Sequence, residues 1–242
     1  MPFSHHSHSG QFCGHAENTL EEVVKEAIKK KMTVFALTEH MPREHTDLYP
    51  EEIEQACTQE ELRINFDDYY HEARRLQNKY SAKIKILVGM EIDWIRDSSY
   101  SWVQALLAKY PLELFIGSVH HVHGIPIDYD QQTYVAARMV SGGHDQDLFE
   151  DYFDEQFTML QRLKPPIIGH FDLIRLKSDD PNMEMSEHRT VWQKVERNLD
   201  FIASYAGVIE LNSAALRKGM AEPYPQRSIC RVRPPRIGIR AM

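Results

Sequence analysis

Apolar runs in this chain end on side chains that bind metals or protons. Residues 34–37 pass into Thr38-Glu39-His40, and 84–88 pass into Gly89-Met90-Glu91-Ile92-Asp93. Residues 114–116 pass into Gly117-Ser118-Val119-His120-His121, and 167–168 pass into Gly169-His170-Phe171-Asp172. Short β-branched runs of this kind predict buried strands of a parallel sheet, and such a sheet collects its chemistry at the C-terminal ends of the strands. His6-Ser7-His8 and His15 lie before the first of these runs.

Between the runs the periodicity turns helical. Thr19 and Glu22 have capping-box spacing, Leu20, Val23, Val24, Ala27 and Ile28 follow on one face, and Lys29-Lys30-Lys31 closes the segment where cations suit the helix dipole. Further helices are expected over 66–80, 98–109, 146–163 and 186–205, and a last strand over 208–211. Residues 42–66 and 122–143 read as surface excursions, the first acidic and the second broken at Gly142-Gly143. With an N-terminal strand the pattern predicts an α/β chain of six strands. It shows no internal repeat and no domain-scale linker, so residues 1–230 are expected to form one domain. Residues 231–242, which have neither strand nor helix period, are expected to be a disordered tail.

Composition narrows the function. The chain has 242 residues and a formal net charge of −8, a balance that argues against a surface that tracks nucleic-acid phosphates. Thirteen histidines are about twice the ordinary share. Cys13, Cys57 and Cys230 have no paired spacing, which disfavours a disulfide framework and suits a reducing compartment. Met1-Pro2-Phe3 leads straight into histidines, and no apolar stretch reaches the roughly 18–20 residues of a membrane span. A soluble cytoplasmic protein without a membrane or nucleic-acid partner is expected.

His6 and His8 are spaced i, i+2, so on a strand both point to one side and can chelate one ion; a chance histidine-rich leader is the plainer reading. Glu91 ends the most apolar strand, where a carboxylate must be paired or hold a cation. Asp93 shares its face and reads as a supporting residue. His120 and His121 are adjacent, so only one can face a common site. Arg175 and Lys177 follow His170, and Arg217 and Lys218 follow the last strand. They could neutralise a phosphate, or could simply be solvated. Imidazoles and carboxylates gathered at strand ends suit a cluster of divalent ions and hydrolytic chemistry.

As an ordered set, these motifs resemble the polymerase-and-histidinol-phosphatase (PHP) superfamily. The resemblance is closest to its stand-alone histidinol-phosphate phosphatases, as in fungal histidine biosynthesis, and extends to about residue 230. It implies a distorted (β/α)7 barrel with up to three divalent ions, Zn, Mn or Fe. His6, His8 and Glu91 would hold one ion. Glu91 would bridge to a second ion on His120 and His170, and His15 and His40 would hold the third. The resemblance thus selects His120 over His121. It implies hydrolysis of a small phosphomonoester, L-histidinol phosphate, with Glu91 and Arg175 catalytic and with Arg175, Lys177, Arg217 and Lys218 binding the substrate.

The family's last motif, an Asp-x-His after a seventh strand, has no counterpart here, since neither residue type occurs after Asn212. The barrel is therefore expected to be incomplete at its C-terminal side, with one ligand missing on each of two ions. Two other readings remain open. One is a different metallohydrolase of the wider amidohydrolase or nuclease type; the former would want a lysine where this chain has Ser118-Val119-His120. The other is a metal-binding remnant with impaired catalysis.

Overall fold

The computed structural model describes residues 2–232. Eight strands are present among them: β1 (Phe3–Ser4), β2 (Val34–Leu37), β3 (Lys85–Asp93), β4 (Leu114–Ser118), β5 (His121–Val122), β6 (Ile125–Pro126), β7 (Ile167–Ile168) and β8 (Val208–Ile209). Hydrogen-bonded neighbours follow the order β1-β2-β3-β4-β7-β8 in a six-stranded parallel sheet, and β5 and β6 form a separate antiparallel hairpin. The six expected strands are those of the parallel sheet. The expected tail from Arg233 onward lies outside the described residues.

The nine helices among the described residues are α1 (Leu20–Lys29), α2 (Pro50–Glu54), α3 (Gln59–Lys79), α4 (Ser99–Lys109), α5 (Gln131–Val140), α6 (Asp145–Leu163), α7 (Arg189–Ser204), α8 (Ala214–Arg217) and α9 (Arg227–Arg231). The Thr19–Glu22 capping box of α1 forms as its sequence predicts. Helix α3 starts earlier than expected because Thr58 and Glu61 make a second capping box. The 122–143 excursion holds both the hairpin and α5, which Asp130 caps through Thr133. That helix buries only Tyr134 and Ala137, too sparse a stripe to stand out as periodic.

The described residues form two compact units, one of 2–93 with 103–116, the other of 94–102 with 117–232. In the first, Phe66, Tyr69, Ala73 and Leu76 recur at three- and four-residue steps on α3, and with Leu20, Val24 and Ala27 of α1 they form a buried layer beside β2 and β3. Strand β3 is buried on both faces from Val88 to Asp93, as befits the middle of a parallel sheet. Gly89 is required there: a Cβ would lie 2.6 Å from the Leu114 carbonyl oxygen. In the second unit, α6 and α7 pack together, α6 burying Leu148, Phe149, Phe153 and Leu160 and α7 burying Val195 and Leu199. A polar chain crosses this apolar seam: Asn198 Nδ2 donates to Gln156 Oε1 (3.1 Å), and Gln156 Nε2 donates to the Phe171 carbonyl (2.9 Å).

Candidate metal centre

Strand β1 ends at Ser4, so His6 and His8 lie in the loop beyond it, not on a strand as their spacing suggests. They still converge, with Nε2 atoms 3.0 Å apart. The loop is stitched alongside β2: Ser7 Oγ donates to the Ala36 carbonyl (2.7 Å), and Ser7 N–H donates to Thr38 Oγ1 (3.0 Å). Beyond Leu37 the ladder between β2 and β3 opens. The buried Tyr69 hydroxyl fills the gap, reaching the carbonyls of Leu37 (2.6 Å) and Gly89 (2.7 Å). Pairing then resumes at a bridge between His40 and Glu91.

Three imidazole nitrogens surround one carboxylate oxygen. His6 Nε2, His8 Nε2 and His40 Nδ1 each lie 3.1 Å from Glu91 Oε2, and Glu91 is 1% exposed. Ring nitrogens this close repel through their lone pairs unless protons or a cation separate them. An ion with bonds of about 2.0–2.1 Å to nitrogen holds neighbouring ligand atoms about 3.3 Å apart. The donor set therefore fits a divalent cation, and His6, His8 and Glu91 form one metal-type cluster.

Glu39 backs this cluster. Its Oε2 meets His8 Nδ1 at 3.2 Å, while its Oε1 accepts from both the backbone and the hydroxyl of Ser9, each at 2.7 Å. A carboxylate on the far nitrogen of a ligating histidine fixes ring orientation and tautomer. Burial opposes a charge on His8, yet the hydrogen bonds from Glu39 and Glu91 outweigh it and raise its pKa. The role of Glu39 was not read from the sequence, although its place at a strand end beside His40 was the available signal.

His15 is exposed, with its ring 5.3 Å from that of His40. Cys13, also unassigned by the sequence, lies buried between these histidines, and its Sγ is 3.3 Å from the ring nitrogens of His15. Burial pushes the Cys13 thiol up to about 12. His8, Cys13 and His40 form a second metal-type cluster, with donor atoms within 4.8 Å of one another.

In the second unit His120 Nε2 stands 3.2 Å from His170 Nε2, both rings being buried, while His121 starts the β5–β6 hairpin. The His170 backbone N–H donates to Glu210 Oε2 (3.1 Å), which places the turn after β7 against the end of β8.

Arg175 is tied into the fold. It is 1% exposed, and each of its three guanidinium nitrogens has a partner. Nε donates to Asp172 Oδ2 (2.8 Å), Nη1 to the Pro181 carbonyl (3.0 Å) and Nη2 to the Pro223 carbonyl (3.1 Å). The Gln226 N–H donates to the same Asp172 oxygen (2.9 Å). These contacts engage three of the five guanidinium N–H groups and make Arg175 a clasp that joins three loops. Spacing after His170 could not distinguish these roles. Lys177 is half-buried, and Arg217 and Lys218 are exposed at α8.

Among the described residues no helix is long and apolar enough to cross a membrane. The PHP domain model matches residues 4–214. The chain is 44% identical over 231 residues to a Schizosaccharomyces pombe protein described as a probable histidinol-phosphatase, covering 95% of this chain and 75% of that one. It is 34% identical over 258 residues to the histidinol-phosphatase of Saccharomyces cerevisiae, covering 94% and 77%. In fold it is similar to a candidate histidinol phosphatase of Listeria monocytogenes (TM-score 0.81, 20% identity, 95% of this chain and 89% of that one). It also resembles a Lactococcus lactis histidinol phosphate phosphatase solved with zinc, L-histidinol and phosphate (TM-score 0.67, 21% identity, 87% and 73%).

Proposed function

The chain belongs to the PHP domain family, and from that membership we propose that it is a metal-dependent phosphomonoesterase that hydrolyses L-histidinol phosphate to L-histidinol and phosphate. One observation carries the reading: three histidine nitrogens converge on a buried carboxylate oxygen at 3.1 Å, a donor set suited to divalent ions. The named activity of the fungal relatives and the zinc, histidinol and phosphate held by the Lactococcus protein support the choice of substrate and metal.

In this reading His6, His8 and Glu91 hold one ion, and His15 and His40 hold another. His120 and His170 would hold a further ion, so up to three would be bound, with zinc preferred over manganese or iron. When bound, such ions lower the pKa of water and offset charge on phosphoryl oxygens. Glu39 holds the far nitrogen of His8, so the other ring nitrogen stays aimed inward. The Asp172–Arg175 clasp and Glu210 fix the turn that carries His170. Lys177, Arg217 and Lys218 supply the positive charge for the outer phosphate oxygens.

The test is phosphate release from L-histidinol phosphate by protein stripped of metal and reloaded with zinc, manganese or iron. Activity that returns in proportion to bound metal is expected. Folded, metal-loaded protein that releases no phosphate from this ester would overturn the reading.

A further inference from the structure

We propose that Cys13 coordinates, as a thiolate, the divalent ion assigned to His15 and His40. The inference rests on the metal-dependent reading above and adds a ligand to it.

Cys13 is 8% exposed, yet its sulfur faces polar donors instead of an apolar core. Its Sγ is 3.3 Å from the His15 ring nitrogens, and it shares a cluster with donors of His8 and His40 that all lie within 4.8 Å. Sulfur and nitrogen ligands on one tetrahedral zinc, with bonds of about 2.3 and 2.0–2.1 Å, stand about 3.6 Å apart. Because Sγ is equally far from both ring nitrogens, the exposed His15 ring must turn to aim one of them at a shared ion, while His40 and Cys13 already lie within 4.8 Å.

The turn that presents Cys13 is built into the site. The Cys13 N–H donates to the Ser9 carbonyl (2.9 Å), and Ser9 is held by Glu39, the carboxylate that orients His8. Gly10 keeps the turn tight, since a Cβ there would lie 2.7 Å from the Ala16 carbonyl oxygen. The other two thiols donate to carbonyl oxygens, Cys57 to that of Thr58 (3.8 Å) and Cys230 to that of Pro225 (3.7 Å).

Coordination forms one sulfur–metal bond and releases the thiol proton to solvent, with no change in oxidation state. A thiolate is a soft ligand, so it biases this position toward zinc and away from manganese or magnesium. It also gives the ion a third protein ligand beside His15 and His40.

Cobalt(II) titration of metal-stripped protein tests the assignment without reference to turnover. The parent should develop an intense near-ultraviolet thiolate-to-cobalt band. Cys13→Ser should lose that band, keep the weaker visible bands of histidine-bound cobalt, and carry about one zinc ion fewer per chain. Cys57→Ser and Cys230→Ser should match the parent. Cadmium NMR of the parent, in which thiolate ligation moves the resonance strongly downfield, gives an independent reading should Cys13→Ser fail to fold.

A cobalt-loaded parent without the band, a band that survives Cys13→Ser, or a cadmium resonance at a nitrogen–oxygen position would each overturn the proposal. Visible bands of histidine-bound cobalt without the near-ultraviolet band would sink Cys13 and leave the phosphatase reading standing. The near-ultraviolet band in protein that releases no phosphate would do the reverse.

Discussion

His40 and Glu91 meet twice, once through the backbone and once through the side chains. They form an isolated parallel bridge, and His40 Nδ1 lies 3.1 Å from Glu91 Oε2. The register that pairs Leu37 with Val88 separates partners by 51 positions, and His40 and Glu91 are also 51 apart (88 − 37 and 91 − 40). The ladder thus opens and closes without slipping. A slip of one residue would turn Glu91 to the opposite face and empty the site.

Glu91→Gln should keep the shape of the side chain and remove its charge. Turnover should fall by more than the roughly 10–100-fold typical of a partner outside the ligand set, with metal content reduced and the circular dichroism spectrum retained. Phosphate release together with elemental analysis checks this. Near-normal activity at unchanged metal content would make Glu91 a structural residue.

Glu39→Gln should act through His8. With the carboxylate charge gone from His8 Nδ1, metal affinity should drop by about 10–100-fold, and excess zinc should restore much of the activity. Competition with a chromogenic chelator measures the affinity. An unchanged zinc affinity would show that Ser9 alone fixes this turn.

Arg175→Ala should damage stability, not phosphate recognition. Removing one partner of a buried ion pair costs about 3–5 kcal/mol, and here it also strands the Pro181 and Pro223 carbonyls. Denaturant unfolding should show the loss, while inorganic phosphate should inhibit the remaining folded variant as it inhibits the parent. Weakened phosphate inhibition at undiminished stability would return Arg175 to the substrate.

Asp154 ties α6 to α7. Burial opposes its ionisation, but Lys194 (2.7 Å) and Arg197 (2.8 Å) outweigh this and hold its pKa below the usual value. A depressed folded pKa contributes stability above the unfolded aspartate pKa of about 3.9 and loses it as pH falls from there through the folded value. Asp154→Asn should therefore melt below the parent at neutral pH, with the gap shrinking in acid. A gap that is constant from pH 7 to 3 would remove the ionic contribution.

Much of the site was legible before folding. The capping box at Thr19, the strand-end positions of His40, Glu91, His120 and His170, and the i, i+2 pair His6 and His8 are local patterns. Strand and helix periods carry such patterns through folding, whereas His6 and His8 converge from a loop held alongside β2. Helix α5 was missed because its buried stripe is short, and the start of α3 was misplaced because its cap lies in an acidic stretch.

The sequence by itself determined the chain order of the six sheet strands, the parallel α/β class and the donor types waiting at the strand ends. Only the tertiary structure decided how those donors are supported. It brought Glu39 behind His8, set Cys13 in one cluster with His8 and His40, and buried Arg175 as a clasp. Those outcomes depend on contacts between residues far apart in the chain, such as Arg175 with Pro223 or Glu210 with His170. Spacing along a sequence carries no distance between segments that meet only when the sheet assembles, so burial and partners are decided there.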